Sequence, residues 1–204
     1  MEARERILEK THELFHQYGI RRVTMDDIAT QCGMSKKTIY QSFKDKDELV
    51  DAVAEAHIHH NKCICEIDKK QAKDALHEVF MAMDMVKEMF EKLHPGILHD
   101  LEKYHPKTFI KFRKHKDEFL FKVVKQNLEW GIEDGIYRAE IDIDVMTRFR
   151  LESMFLPFNL FVFPQSKYNI TKIEEEIMEH YVYGLATIKG HKLIEKYKKQ
   201  RQTK

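Results

Sequence analysis

The run Cys32-Gly-Met-Ser-Lys-Lys-Thr-Ile-Tyr-Gln-Ser-Phe43 sets two lysines, hydroxyl side chains and a glutamine beside aromatic rings. Lysines hold phosphates, and Lys, Thr and Gln side chains reach base edges in a major groove. The chemistry on offer is the binding of a polyanion. Between Ile20 and Lys46 six basic residues stand against three acidic ones, so the stretch is basic although the 204-residue chain carries a net charge of only +1. An anionic partner must therefore be met by this local patch and not by the whole molecule. No nucleophile–base arrangement, glycine-rich phosphate loop or paired-carboxylate motif accompanies it, and an enzyme is not expected.

The elements that must position these residues are helices. Ile7, Leu8, Thr11, Leu14, Phe15 and Tyr18 recur on one face of a first helix, which Gly19 ends. Thr24-Met-Asp-Asp27 reads as a capping box opening a short second helix that Gly33 closes. Ser35 caps a third helix running to about Ser42. Ile28, Ile39 and Phe43 supply a shared core, and Ala29 lets the pair approach closely. This is a helix-turn-helix, with Lys36, Lys37, Thr38, Tyr40 and Gln41 facing outward on its second member. Asp45-Lys-Asp-Glu48 then opens a long helix with an apolar face from Leu49 to Ile67. Further helices fit Val79 to Phe90, Pro106 to Glu133, Asp144 to about Phe163, and Thr171 to about Tyr197, the last opened by the box Thr171-Lys-Ile-Glu174. The basic tail from Lys189 to Lys204 reads as frayed and solvated.

The segment Thr24-Met-Asp-Asp-Ile-Ala-Thr-Gln-Cys-Gly-Met-Ser-Lys-Lys-Thr-Ile-Tyr-Gln-Ser-Phe-Lys-Asp-Lys-Asp-Glu-Leu49 resembles the DNA-binding domain of TetR-family transcriptional regulators. A weaker similarity lies in Asp134-Gly-Ile-Tyr-Arg-Ala-Glu-Ile-Asp142. The resemblance implies an all-α protein, with a helix-turn-helix domain over residues 1–46 and a larger ligand-binding and dimerisation domain over residues 47–204. It implies that Thr24, Ser35, Tyr40 and Lys46 hold phosphates while Lys36, Lys37, Thr38 and Gln41 face bases. Two departures, Lys37 where many members carry a small residue and Ser42 where histidine is common, keep the operator sequence from being transferred. The implied role is a homodimeric repressor on a palindromic double-stranded operator, released by a small apolar or amphipathic effector.

Phe80, Met83, Phe109, Phe112, Trp130 and Phe155 are the candidate lining of an effector pocket, where adaptable methionines suit irregular ligands. Ile173, Ile177, Tyr181, Gly184, Leu185 and Ile188 form one stripe, taken as the dimer interface. His57-Ile-His-His-Asn-Lys-Cys-Ile-Cys65 invites a metal. Each helical residue turns about 100°, so Cys63 and Cys65 point roughly 160° apart. His59 with Cys63, or His57 with His60, make only two-residue pairs, short of a tetrahedral set. No metal and no cofactor are expected. Two rival readings remain: a metal- or thiol-responsive sensor, and a helical small-molecule carrier or enzyme with a relic helix-turn-helix. Three cysteines suggest no disulfide framework, and the longest apolar run, Met154 to Pro164, is shorter than the roughly 20 residues of a membrane span. A cytoplasmic protein without membrane contact is expected.

Overall fold

The computed structural model describes residues 2–91 and 93–202, the last of these by its backbone alone. Its elements are α1 (Ala3–Tyr18), α2 (Met25–Cys32), α3 (Lys36–Ser42), α4 (Lys46–Gln71), α5 (Ala75–Glu91), α6 (Ile97–Tyr104), α7 (Pro106–Lys114), α8 (Phe121–Glu133), α9 (Ile143–Ser153), α10 (Ile170–Leu185) and α11 (Ile188–Gln202). A π-helical turn, His115–Leu120, joins α7 to α8. The chain forms two compact units: residues 1–62 with 92–115, and residues 63–91 with 116–204. The unit that holds the helix-turn-helix thus reaches past residue 46 and takes in α6 and α7. Among the described residues no helix is long and apolar enough to cross a membrane.

In the first unit, local chemistry sets the helix ends. Thr24 Oγ1 accepts from the Asp27 N–H at 3.2 Å, and Asp27 Oδ2 accepts from the Thr24 N–H at 2.8 Å, completing the expected box. Gly33 takes the left-handed conformation, φ 62°, that ends α2 without strain. Ser35 Oγ accepts from the Thr38 N–H at 3.1 Å and starts α3. Asp45 Oδ1 accepts from the Glu48 N–H at 2.9 Å, while Glu48 reaches back to the Lys44 N–H at 2.7 Å. Ile7, Ile28, Ile39, Phe43 and Leu49 are fully buried together, each contributing about 1.5–3 kcal/mol of burial. Thr108 and Lys111 of α7 bond Asp51 of α4 at 3.0 and 2.7 Å.

The second unit is built around Leu76, Phe80, Leu128, Tyr137, Val182, Leu185 and Ile194. One buried polar chain runs through it: the Tyr137 hydroxyl donates to Asn127 Oδ1 at 3.1 Å, and Asn127 donates to the Ala75 carbonyl and to Glu78 Oε2. Gly131 leaves room for the Tyr137 ring, which a Cβ there would meet at 2.0 Å. Several expectations need correction here. The helix expected from Thr171 to Tyr197 is two, because Ala186 is extended: the Leu185 carbonyl accepts from the Arg138 N–H, and the Thr187 N–H donates to the Ile136 carbonyl. Asn169, not Thr171, caps α10, accepting from the Lys172 N–H at 3.0 Å. The helix expected to reach Phe163 stops at Ser153, and Pro157 lies in a short 3-10 turn beyond it. The supposedly frayed tail is α11, held by buried Ile194 and Tyr197 and by an Arg201–Asp84 pair at 2.7 Å; Lys204 lies outside the described residues.

Candidate nucleic-acid interface

Lys37, Tyr40 and Gln41 stand exposed along α3, whose opposite side is anchored by the fully buried Ile39. Tyr40, with 44% of its surface open, belongs to that outer face and not to the core. Lys36 is exposed as well, but its ammonium pairs with Asp26 Oδ1 of α2 at 2.8 Å, which raises its pKa. Thr38 is half-buried, and its hydroxyl lies 2.8 Å from that of Ser35. Thr24 and Ser35 are exposed caps with their hydroxyls engaged in helix starts. Ser35 and Thr38 are bonded at the start of α3, and Lys36 reaches α2, the helix that Thr24 caps.

Lys46 is different. Its ammonium donates to the Ile20 carbonyl at 2.7 Å and lies 3.4 Å from the Arg21 carbonyl. Burial lowers its pKa, against the pull of Asp100, Asp47 and Asp27. The side chain ties the start of α4 to the segment that follows α1, so its expected role as a phosphate ligand competes with a structural one.

The six expected pocket residues divide. Phe109 and Phe112 pack against the core of the first unit. Phe80 and Met83 are buried in the second unit, Trp130 packs against that core with the Lys69 ammonium 4.1 Å above its ring, and Phe155 carries Lys116 at 5.1 Å. Met83 alone of the six lines a cleft between α5 and α10, with Phe90, Met178 and Glu174. The cleft has room for little more than one water molecule, far below the roughly 300 Å³ of a usual ligand site. Glu174 is buried there with Arg150, Nη2 to Oε1 3.1 Å, and its second oxygen has no hydrogen-bond partner among the described residues. Burial raises its pKa, which Arg150 offsets in part.

The dimer stripe also divides. Ile173, Tyr181 and Leu185 turn into the second unit's own core, Leu185 completely, and Ile177 is half-buried; only Gly184 and Ile188 are exposed. Helical spacing marked an apolar face, and that face is covered within the chain.

A further cluster joins two helices of the first unit. His12 and His16 of α1 and His57 of α4 lie together, with ring centroids 3.9 Å apart for the first pair and 5.8 and 6.3 Å for the others. Burial is the first cause that depresses all three, His16 to about 3 and His57 to about 4. The rings are neutral at pH 7. The legible signal was His12-Glu-Leu-Phe-His16, the spacing that puts two histidines on one helix face. Cys63, exposed, and Cys65, half-buried, are not part of it.

Residues 7–53 match the family described as bacterial regulatory proteins, tetR family. The chain is 36% identical over 102 residues to HTH-type transcriptional regulator YvaF of Bacillus subtilis, a match covering 50% of this chain and 53% of the relative. It thus spans about half the length of the curated relatives it matches. The fold is similar to a TetR-family regulator from Cytophaga hutchinsonii, with a TM-score of 0.71 at 15% identity over 90% of this chain and 94% of that one. It is equally similar to a transcriptional regulator from Saccharomonospora viridis in complex with choline, with a TM-score of 0.71 at 15% identity over 91% and 98% of the two chains.

Proposed function

Through residues 7–53 this chain belongs to the tetR family of bacterial regulatory proteins, and we propose that it is a DNA-binding transcriptional regulator, a homodimeric repressor released by a small molecule. The observation that carries the reading is the exposed face of α3. Lys37, Tyr40 and Gln41 project from a helix held rigidly by Ile28, Ile39 and Phe43, so a preformed basic surface is offered to a major groove. Lys36 joins them when it leaves Asp26, and Thr24 and Ser35 flank the face. Two such helices on a palindromic operator must fall about 34 Å apart, or a multiple of that.

Apolar side chains open on the second unit support a covered surface between two copies: Val145 and Phe149 of α9, and Leu156, Leu160, Phe161 and Val162 after it. Together with exposed Gly184 and Ile188 they replace the original stripe as the proposed dimer face. The mostly apolar cleft beside the buried Arg150–Glu174 pair favours, once widened, an effector with an apolar body and a polar end. The choline complex of the Saccharomonospora viridis protein is in keeping with that chemistry. A ligand shifts the equilibrium only by its differential affinity; 100-fold discrimination is about 2.7 kcal/mol.

Mobility shift on the DNA upstream of the chain's own gene, run at several salt concentrations, tests the regulator. Sequence-selective binding that survives competitor DNA supports it. Weak binding alone, equal on random sequence and lost with salt, would favour a helical carrier instead.

A further inference from the structure

Three imidazoles from two helices converge at one point of the first unit. His12 and His16 lie one helical turn apart on α1, and His57 comes to them from α4. One ligand nitrogen from each lies within 4.8 Å of the other two. We propose that His12, His16 and His57 form a binding site for one divalent first-row transition ion, with zinc as its probe.

A tetrahedral ion with nitrogens at about 2.0–2.1 Å needs them roughly 3.3 Å apart, so small rotations of half-buried rings close the site. Neutral imidazole is the ligand that zinc, nickel and copper share. Three histidines leave a fourth position, open to water.

His12-Glu-Leu-Phe-His16 has the spacing in which metalloproteases place two zinc ligands and a glutamate base. Here that base is directed elsewhere: both Glu13 oxygens accept from the Lys10 ammonium, at 3.0 and 2.8 Å, on the exposed side of α1. The site is therefore one of binding and not of hydrolysis. An ion held there would clamp α1 to α4 within the unit that carries the helix-turn-helix. Because it binds the folded chain, it would raise that unit's stability by mass action.

The test uses the untagged full chain, stripped with a chelator and titrated with zinc in competition with a chromophoric chelator. One tightly held zinc per chain is expected. His16→Gln and His57→Gln should each weaken it by about 100-fold, as loss of a ligand does, while His59→Gln on the same helix leaves it unchanged. Absence of binding, or binding that neither substitution weakens, overturns the site. If a variant loses its helical circular dichroism, cobalt loading of the parent chain decides. Visible d–d bands without a thiolate charge-transfer band support three imidazoles, whereas an aqueous cobalt spectrum, or a thiolate band from Cys63 or Cys65, refutes them. No DNA enters the experiment, so its outcome stands apart from that of the regulatory reading.

Discussion

The ammonium of Lys46 donates to the carbonyl of Ile20 at 2.7 Å, joining the first turn of α4 to the segment that follows α1. A lysine held this way cannot release a full phosphate contact without giving up its internal one. Lys46→Ala should lower the melting temperature of the protein and change the salt slope of DNA binding by less than the roughly 0.9 expected for one phosphate contact. A slope change near that value with an unaltered melting temperature would return Lys46 to the phosphate-binding set.

Lys36 and Asp26 hold each other across the helix-turn-helix at 2.8 Å. Asp26→Asn removes the competitor for the ammonium, and DNA binding should become tighter and more salt-dependent. Lys37→Ala should act on selectivity, costing about 1–3 kcal/mol on the proper site and much less on random DNA. Anisotropy titrations on both DNAs distinguish the two roles; identical losses for Lys37→Ala on both would remove it from base reading.

A dimer face is tested by charge on exposed positions. Val145→Glu or Phe149→Glu should yield well-folded monomers in sedimentation velocity, because both side chains are largely open in the protomer. Leu185→Glu, by contrast, should unfold the second unit, since Leu185 has no exposed surface and an unpaired buried carboxylate is strongly destabilising. Stable dimers in both surface variants would move the interface elsewhere.

Thiol reactivity should be graded along α4 and its surroundings. Cys65 is half-buried, and burial, with Asp68 and Glu78 behind it, pushes its thiol up to about 11. At pH 7 only about one molecule in ten thousand carries its thiolate. Mass spectrometry of iodoacetamide-treated protein should find exposed Cys63 modified first, Cys65 slowly, and buried Cys32 only on unfolding. Rapid alkylation of Cys65 would revive the thiol-sensor reading.

His115 offers a pH test. Burial, and then the charge of Lys62, depress it to about 4, and its Nε2 lies 2.9 Å from Asn61 Oδ1. The folded ring is harder to protonate than the unfolded one, near 6.5. Its contribution to stability is therefore complete above about pH 6.5 and is lost as pH falls toward 4. An NMR titration of the ring protons should show a midpoint near 4 in the folded chain; a midpoint near 6.5 would contradict the burial.

Helix ends in the DNA-binding unit were legible because their causes are local. Thr24 with Asp27, Gly33, Ser35 with Thr38, and Asp45 with Glu48 each act within three or four residues, and each cap stands where its side chain and spacing put it. Periodicity likewise marked which faces are apolar, from Ile7 to Val53, apart from Tyr18, whose ring stands exposed at the end of α1. What periodicity does not carry is which face meets which. The stripe from Ile173 to Leu185 is covered within its own chain, and α10 stops at Ala186 because the backbone of Ile136 and Arg138, far off in sequence, bonds across it. On α4 alone His57 has at most one ligating partner by helical spacing; folding brings α1 alongside and gives it two. Short-range hydrogen bonds are written in consecutive residues, whereas long-range packing depends on every face at once, and only the tertiary structure decides it.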